Sequence, residues 1–274
     1  MTDLYAVIGN PIGHTKSPWI HSAFAEATGQ HISYTAIEGP LGGFAARVNA
    51  FRREGGRGLN ITVPFKVDAC EYATDLSERA ALAGAVNAMK FEGERAFAEN
   101  FDGLGLTNDI QRNHSYPLAG KRVLVLGAGG AARGALRPFL EQKPALLVIA
   151  NRTRTKAQDL AAKFSVYGPI QAIDYSDLDQ HAPFDLVVNA TSASLRGELP
   201  PVPAAAFVRG CLAYELVYGK GLTPFLRASQ SAGAGRLAEG LGMLVEQAAE
   251  AFEWWRGVRP ETAPLIARLT VPLN

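Results

Sequence analysis

Short apolar runs rich in β-branched residues alternate with helical patterns along almost the whole chain, and this alternation restricts the possible folds more than any other feature. Strands separated by helical segments form β-α-β units, so we expect an α/β protein with parallel or mostly parallel sheets. The predicted strands cover residues 5–8, 32–37, 59–62, 85–90, 123–126, 146–150, 185–189 and 211–214.

Residue types mark where three helices begin or end. Ser17 and Pro18 predict the start of a helix that ends at Gly29, with the serine as N-cap and the proline as the first helical residue. Thr223 and Pro224 repeat this start signal. A long amphipathic helix is predicted near the C-terminus, where apolar residues recur at helical spacing. These residues are Leu241, Leu244, Val245, Ala248, Phe252 and Trp255.

The length of 274 residues fits one large or two modest domains at ~150 residues per domain. Residues 112–120 are polar, contain Pro117 and separate two blocks of alternating elements, so we place the domain junction there. We expect a first domain at 1–110 and a second at 111–236. We also expect the C-terminal helices of residues 237–274 to return to the first domain and complete it.

The charge balance argues against polyanionic partners. The 27 Lys and Arg residues nearly balance the 26 Asp and Glu residues, which leaves a formal net charge of +1. This charge is too small to attract the protein to nucleic acid or to an anionic membrane. Cys70 and Cys211 are far apart and form no CxxC pair, which favours neither a disulfide nor a metal site. No apolar run approaches the ~20 residues that cross a bilayer. We therefore expect a cytoplasmic protein that acts on a small molecule without a metal.

A glycine-rich loop follows the strand predicted to end at Leu126. Residues 127–132 read GAGGAA, a GxGxxA pattern that opens a helix at about Gly130. Gly127 permits the tight turn, and Gly129 lets backbone N–H groups approach a pyrophosphate at the helix N-terminus. Glycine turns between strand and helix also occur for packing alone, so the loop by itself leaves that alternative open.

The next strand indicates which dinucleotide binds. It ends at Ala150, where an NAD-binding domain carries an acidic residue for the ribose. This chain has Asn151, Arg152, Thr153 and Arg154 instead. Guanidinium groups bind phosphate through a planar fork, so the segment suits a 2′-phosphate and favours NADP over NAD. In the alternative interpretation, Thr153 caps the following helix and both arginines are solvated charges.

Small polar residues cluster near predicted strand ends in the first domain. They occur in GNPIGHTKSP at 9–18, NITVPFK at 60–66, GAVNA at 84–88 and ENFDG at 99–103. Later segments are NRT at 151–153, NATS at 189–192, TPFL at 223–226 and GLGM at 240–243 with Gln247. Through these motifs the sequence resembles the shikimate dehydrogenase family essentially from end to end.

The resemblance implies an N-terminal α/β substrate domain, a Rossmann-type NADP-binding domain and an active site between the two. It also implies reversible NADPH-dependent reduction of 3-dehydroshikimate to shikimate, on the route to chorismate and the aromatic amino acids. By similarity, Lys66 and Asp102 form the catalytic pair. A hydride that reaches a carbonyl carbon leaves an alkoxide, which a cation stabilises and a general acid protonates, so we assign the proton to the pair. Without the resemblance, Lys66 would be interpreted as a surface lysine.

Binding residues are also implied by the resemblance. For the substrate they are Thr15 and Ser17 at the carboxylate, Asn87 and Asp102 at the ring hydroxyls, and Thr62, Tyr218 and Gln247 around them. For NADP they are Gly127, Ala128, Gly129, Gly130, Ala131, Asn151, Arg152, Thr153, Arg154, Leu216, Gly240 and Glu78. Leu216 and Gly240 are expected near the nicotinamide, although Gly240 could equally form a bend before the last helix. Ser17 has the alternative role of N-cap.

Four residues depart from the usual family pattern without removing a catalytic group. Thr15 stands where the family usually has serine, Phe101 where threonine is common, and Glu215 and Glu239 where aspartate is usual. Two alternatives therefore stay open, a quinate/shikimate dehydrogenase that uses NAD and a non-catalytic NADP-binding regulator. The arginine pair argues against NAD, and the catalytic pair argues against a regulator. We expect a monomer or a homodimer.

Overall fold

A computed structural model describes residues 2–271 and 273, which form two compact units. Unit 1 contains the described chain up to Gly105 together with Val245–Arg268, and unit 2 contains Leu106–Leu244 and the described residues from Leu269 onward. Each unit has a six-stranded sheet within the described residues, and the two sheets are mostly parallel, which confirms the predicted α/β class. Met1, Pro272 and Asn274 fall in predicted domain ranges but lie outside the described residues.

The sheet of unit 1 has the strand order β2-β1-β3-β5-β6-β4. Its strands are β1 (Asp3–Gly9), β2 (Ile32–Glu38), β3 (Gly56–Ile61), β4 (Asp75–Leu76), β5 (Ala88–Glu92) and β6 (Arg95–Glu99). The neighbours of β1 run parallel to it, whereas β5 is antiparallel to both β3 and β6. The helices nearest to these strands in sequence are α1 (Ser17–Thr28), α2 (Phe44–Arg53), α3 (Asp68–Tyr72), α4 (Glu78–Ala83) and α5 (Asp102–Asn108). A π-helical turn, Asp109–Asn113, continues α5.

Two predictions for unit 1 are wrong in detail. The strand predicted at 85–90 begins at Ala88, because Gly84 ends α4 in the left-handed region at φ 58° and the chain needs residues 85–87 to reach the sheet. The predicted start of α1 is one residue late, because α1 begins at Ser17 itself; Ser17 is therefore not an N-cap, Pro18 is the second helical residue, and the first turn has no side-chain cap. The N–H of Ile20 bonds to the carbonyl of Lys16 instead. Gly29 ends α1 as predicted, at φ 65°.

Most of the C-terminal helical region belongs to unit 1, from Val245 to Arg268. Helix α10 (Leu241–Arg256) enters unit 1 at Val245, and α11 (Ala263–Leu269) follows it. Tyr5 and Val7 of β1 pack in one core cluster with Ala251 and Trp255 of α10. The Trp255 ring stacks on Tyr5 with centroids 4.7 Å apart, and its Nε1–H donates to the carbonyl of Met89 at 2.9 Å. Helix α10 therefore covers one face of the sheet.

Unit 2 has an entirely parallel sheet with the order β12-β11-β10-β7-β8-β9. Its strands are β7 (Arg122–Leu126), β8 (Leu146–Ala150), β9 (Ile170–Ile173), β10 (Phe184–Asn189), β11 (Phe207–Glu215) and β12 (Arg236–Glu239). Its remaining helices are α6 (Gly130–Glu141), α7 (Arg154–Phe164), α8 (Leu178–His181) and α9 (Pro224–Ser231). The strand order reverses between β7 and β10, and ligands of such sheets bind at the carboxyl ends of the strands beside this point.

The predicted start of α9 is confirmed. Pro224 is the first helical residue, and the Thr223 hydroxyl caps the helix by accepting the N–H of Leu226 at 3.3 Å. The glycine loop also lies as predicted, since β7 ends at Leu126 and α6 begins at Gly130. Strand, loop and helix therefore form the unit that a dinucleotide site requires.

Candidate functional site

Unit 1 brings Lys66, Asn87, Asp102 and Gln247 into one hydrogen-bonded group, named here the polar cluster. Lys66 lies in the turn between β3 and α3, and Asp102 is the first residue of α5. The Lys66 Nζ donates to Asp102 Oδ2 at 2.5 Å, and both side chains are partly exposed, at 28% and 18%. An ion pair that keeps contact with solvent is accessible to a small molecule.

Asn87 determines how the polar cluster is oriented. Its Oδ1 accepts the backbone N–H of Phe101 at 2.8 Å, so its amino group must point the other way. That Nδ2 donates to Asp102 Oδ1 at 2.7 Å and to Gln247 Oε1 at 3.2 Å. Both carboxylate oxygens of Asp102 therefore accept hydrogen bonds, one from the lysine and one from the amide. The group spans four parts of the chain, the turn after β3, the segment before β5, helix α5 and helix α10.

Thr15 and Ser17 form a second polar group in unit 1. The Thr15 hydroxyl donates to Ser17 Oγ at 3.2 Å, and the backbone N–H of Ser17 donates to Thr15 Oγ1 at 3.3 Å. Ser17 does not cap α1, and its hydroxyl oxygen accepts from Thr15. Thr62 lies just past β3 and is half-buried, with its backbone N–H on the carbonyl of Ile8.

Two residues missed by the sequence analysis are hydrogen-bonded to the polar cluster. Tyr34 donates to Asn60 Oδ1 at 2.6 Å, and Asn60 Nδ2 donates to the carbonyl of Asn87 at 3.3 Å. Burial raises the pKa of Tyr34 well above its usual value, so the phenol stays protonated and keeps donating. A neutral chain of hydrogen bonds thus runs from Tyr34 through Asn60 to the backbone of Asn87. Asn60 could have been suspected because it opens the NITVPFK segment, but the sequence around Tyr34 carries no such signal.

The glycine loop of unit 2 has the geometry of a phosphate site. Gly127 has φ 105°, in the left-handed region that other residues avoid. Gly129 is the N-cap of α6, where no side chain occupies the first-turn N–H groups. A Cβ at Gly129 or Gly130 would meet no described heavy atom within 4 Å. Ala128 is half-buried and Ala131 is exposed. The helix N-terminus is therefore open to an anion, and the residues fit a dinucleotide pyrophosphate.

The segment after β8 presents two exposed arginines, Arg152 and Arg154. The Asn151 amide donates to the carbonyl of Thr153 at 2.9 Å, which fixes the turn. Thr153 is the N-cap of α7 but its side chain makes no capping hydrogen bond, so the capping part of the alternative interpretation is wrong, whereas both arginines are exposed as that interpretation expects. Arg154 forms only a long ion pair with Asp177, at 3.7 Å with the guanidinium 56% exposed. The two exposed guanidinium groups of Arg152 and Arg154 therefore fit a 2′-phosphate.

Leu216 and Gly240 touch inside unit 2. A Cβ on Gly240 would lie 2.1 Å from the Leu216 carbonyl oxygen, so only glycine allows this approach. Gly240 also joins β12 to α10, so its role as a bend holds as well. Tyr218 is 36% exposed, and burial followed by the nearby charge of Glu239 raises the pKa of its phenol. Glu239 accepts the backbone N–H of Gly219 at 2.8 Å.

Two further predicted or departing positions lie in unit 1. Glu78 is the exposed first residue of α4, and it is the only predicted NADP residue in unit 1. Phe101 is 4% exposed and packs edge-to-face on Trp254, so its departure from threonine adds to the core.

Among the described residues, no three His, Cys, Asp or Glu side chains are grouped to hold a metal ion. No described helix is long and apolar enough to cross a membrane.

A doubly wound parallel sheet with an open helix N-terminus, joined in one chain to a lysine–carboxylate cluster, defines the class of dinucleotide-dependent oxidoreductases. Three family models match successive parts of the chain. They are the shikimate dehydrogenase substrate binding domain at residues 7–89, shikimate / quinate 5-dehydrogenase at 109–196, and the shikimate 5′-dehydrogenase C-terminal domain at 240–270. The chain belongs to the shikimate dehydrogenase family.

Individual relatives agree with this assignment. A protein of Nitrosospira multiformis named shikimate dehydrogenase (NADP(+)) is 55% identical over 274 residues, covering 100% of this chain and 99% of its own. The crystal structure of an Ael1 enzyme from Pseudomonas putida is 57% identical, with a TM-score of 0.95 and full coverage of both chains. A shikimate 5-dehydrogenase from Thermus thermophilus, solved with NADP(H) and shikimate, is 32% identical with a TM-score of 0.85 and covers 97% of this chain and 98% of its own.

Proposed function

We propose that the protein catalyses the reversible, NADPH-linked reduction of 3-dehydroshikimate to shikimate, a step toward chorismate and the aromatic amino acids. The observation that carries the proposal is the polar cluster, in which Lys66 and Asn87 both bond to the Asp102 carboxylate, at 2.5 and 2.7 Å. The family membership and the name of the relative that is 55% identical support the substrate and the cofactor.

When bound, NADPH would supply the hydride to the carbonyl carbon of the substrate. The developing alkoxide needs a cation beside it, and the Lys66 ammonium provides one. The alkoxide also needs a proton, which the Lys66–Asp102 pair delivers as one coupled unit. In the reverse direction the same pair accepts the proton of the substrate hydroxyl. Asn87 keeps the carboxylate turned toward Lys66 in both directions, because its own orientation is fixed by Phe101 N–H.

Unit 1 is proposed as the substrate domain. Thr15 and Ser17 would bind the substrate carboxylate with their hydroxyl groups, which already lie 3.2 Å apart. Asn87 and Asp102 would bind ring hydroxyls. The remaining proposed substrate residues are Thr62, Gln247 and, from unit 2, Tyr218. A cyclohexene ring with a carboxylate and several hydroxyls matches such a set of short polar side chains.

Unit 2 is proposed as the NADP domain. The pyrophosphate would lie on the backbone N–H groups of residues 127–131, and Arg152 and Arg154 would bind the 2′-phosphate with Asn151 and Thr153. Leu216 and Gly240 would border the nicotinamide, and Glu78 is retained as a cofactor contact from unit 1. The exposed guanidinium groups of Arg152 and Arg154 support NADP over NAD as the cofactor. They therefore disfavour a quinate dehydrogenase that uses NAD.

We place the reaction in the cytoplasm and expect a small-molecule substrate with no nucleic-acid, membrane or metal partner. Cys70 and Cys211 are both outside any disulfide in the described structure, which supports a reducing compartment. Burial raises the pKa of Cys211 to about 12, so this thiol is inert. We propose that the protein is a monomer or a homodimer. Light scattering, which measures the molar mass in solution, distinguishes the two.

The proposal is tested by a steady-state assay of shikimate and quinate, each with NADP and with NAD. We expect the highest kcat/KM for shikimate with NADP. The variant Lys66→Ala should lose about 10²–10⁴-fold in kcat, while NADPH binding measured by fluorescence titration stays within about twofold of wild type. Lys90→Ala is the matched control, because Lys90 pairs with Glu92 at 2.7 Å outside the polar cluster. Near wild-type turnover in Lys66→Ala would remove Lys66 from the chemistry, and an inactive wild type that binds NADPH would favour a regulator.

A further inference from the structure

Glu215, the last residue of β11, is a fully buried carboxylate that the proposed chemistry does not use. Its Oε2 accepts hydrogen bonds from Ser194 Oγ at 2.5 Å, Asn189 Nδ2 at 3.0 Å and Thr223 Oγ1 at 3.1 Å. Its Oε1 accepts from Asn189 Nδ2 at 3.2 Å and from the backbone N–H of Val217 at 3.3 Å. Burying a carboxylate is costly, and this one is compensated by donors at both oxygens.

The direction of these hydrogen bonds is fixed by their surroundings. Asn189 Oδ1 accepts the backbone N–H of Thr191 at 3.1 Å and the Thr191 hydroxyl at 2.7 Å, so the Asn189 amino group must face Glu215. The N–H of Val217 can only donate. The site therefore requires an acceptor at both oxygens, which a carboxylate provides and an amide does not.

Three separate segments at the carboxyl edge of the sheet meet on this one side chain. Asn189 ends β10, Ser194 lies in the short 3₁₀ turn that follows it, and Thr223 caps α9. Val217 belongs to the chain that leaves β11. Glu215 thus joins the end of β10, the exit of β11 and the start of α9 through one buried group.

Leu216 lies at the centre of this arrangement. It stands between Glu215 and Val217, and the backbone N–H of Val217 donates to the Glu215 carboxylate across it. The N–H of Leu216 itself donates to the carbonyl of Asn189 at 3.2 Å. On its other side the Leu216 carbonyl contacts Gly240 so closely that a Cβ there would be 2.1 Å away. The Leu216 backbone is therefore held from three sides, by Asn189, by Gly240 and, through Val217, by the Glu215 carboxylate.

We propose that Glu215 is a positioning residue that aligns the nicotinamide end of the cofactor. The inference rests on the proposed function, in which Leu216 and Gly240 border the nicotinamide ring. Glu215 itself touches neither cofactor nor substrate. Its carboxylate holds the Leu216–Val217 turn, and that turn provides one wall against which the ring lies. The glycine loop and the arginine pair, which would hold the phosphates, contain no hydrogen-bond partner of Glu215 among its described contacts.

The test compares two ligands of the same site that differ at the nicotinamide end. NADPH spans the whole site, whereas adenosine 2′,5′-bisphosphate carries the 2′-phosphate and lacks the nicotinamide. In Glu215→Gln we expect kcat and the Kd of NADPH each to worsen by about tenfold, since small misplacements of reacting groups have large kinetic effects. The Kd of the bisphosphate should stay within about twofold of wild type. Glu215→Asp keeps the carboxylate, and its kcat should stay within about threefold of wild type.

Asp185→Asn is the matched control. Asp185 lies near the start of β10, at the opposite edge of the same sheet, where it accepts the backbone N–H of Arg122 at 2.9 Å. If Glu215→Gln does not fold, Ser194→Ala removes a single donor and should weaken NADPH about threefold without affecting the bisphosphate.

Parallel losses for both ligands would overturn the inference, because they would indicate a general distortion of unit 2. An unchanged kcat in Glu215→Gln, or a loss in Glu215→Asp as large as in the glutamine variant, would overturn it as well. A wild type that does not oxidise shikimate with NADP would instead refute the proposed function, and the two Kd values would still report on Glu215.

Discussion

His21 makes the stability of unit 1 depend on pH in a way that one substitution removes. The imidazole is fully buried and lies flat on Tyr34, with ring centroids 4.1 Å apart and planes 5° apart. Neither ring nitrogen has a hydrogen-bond partner of normal geometry among the described residues. Burial lowers the pKa of His21 from 6.5 to about 3, and the nearby Asn60 side chain opposes this shift only in part.

The sign and size of the effect follow from these two pKa values. Above pH 6.5 the histidine is neutral in both the folded and the unfolded chain, so it contributes no pH dependence. As pH falls below 6.5 the unfolded chain takes up a proton and the folded chain does not, so stability is lost down to about pH 3. At about 1.4 kcal/mol per pH unit, the loss is about 2 kcal/mol at pH 5.

The substitution His21→Phe keeps the stacked ring and removes the titrating group. We expect the free energy of unfolding of wild type to fall by about 2 kcal/mol more than that of the variant between pH 8 and pH 5. Urea unfolding followed by tryptophan fluorescence measures this, because Trp19, Trp254 and Trp255 all lie in unit 1. His31→Gln is the control, since the exposed His31 should leave the difference unchanged. Equal pH dependence in wild type and His21→Phe would refute the reasoning.

Two further predictions concern the NADP site. Arg152→Ala should raise the KM for NADPH by about tenfold or more and leave that for NADH unchanged, since only NADPH carries the 2′-phosphate; equal losses would contradict the assignment. Gly129→Ala should leave the melting temperature unchanged, because its Cβ meets no described atom within 4 Å, yet weaken NADPH binding where the methyl enters the phosphate site. Its counterpart Gly242→Ala places a Cβ 1.9 Å from Asp109 Oδ1 and should cost about 1–3 kcal/mol in calorimetry. If Gly129→Ala lowers the melting temperature as Gly242→Ala does, or leaves NADPH binding unchanged, the free space at Gly129 is not a ligand site.

The parts that the sequence predicts well are those where a local rule decides the structure. The strand, the Gly127 turn and the start of α6 follow each other within a few residues, so backbone sterics and helix capping suffice. The start of α9 at Thr223 is predictable for the same reason. Lys66 and Asp102 required the family resemblance, because their 2.5 Å contact joins residues that are far apart in the chain.

Other features depend on tertiary contacts and leave little trace in the sequence. The strands β4, β6, β9 and β12 were not predicted, because they have two to five residues and include charged or polar side chains. Ser17 satisfies every local rule for an N-cap, yet its hydroxyl oxygen accepts from Thr15 instead. The phenol of Tyr34 acts through Asn60, whose place beside it is set by the pairing of β1 with both β2 and β3.

Unit 1 is built from two separate parts of the chain, with most of unit 2 between them. During translation, the unit that begins first is therefore completed last. The strands β1 to β6 leave the ribosome first, but Trp255, whose indole covers Tyr5, is made only after all of Leu106–Leu244. At ~5–20 residues per second, one face of β1 waits roughly 10–50 s for its cover. The later unit can therefore finish folding while the earlier one is still incomplete. During that interval the nascent chain presents an apolar sheet face to the cell, and this is when a chaperone would be needed.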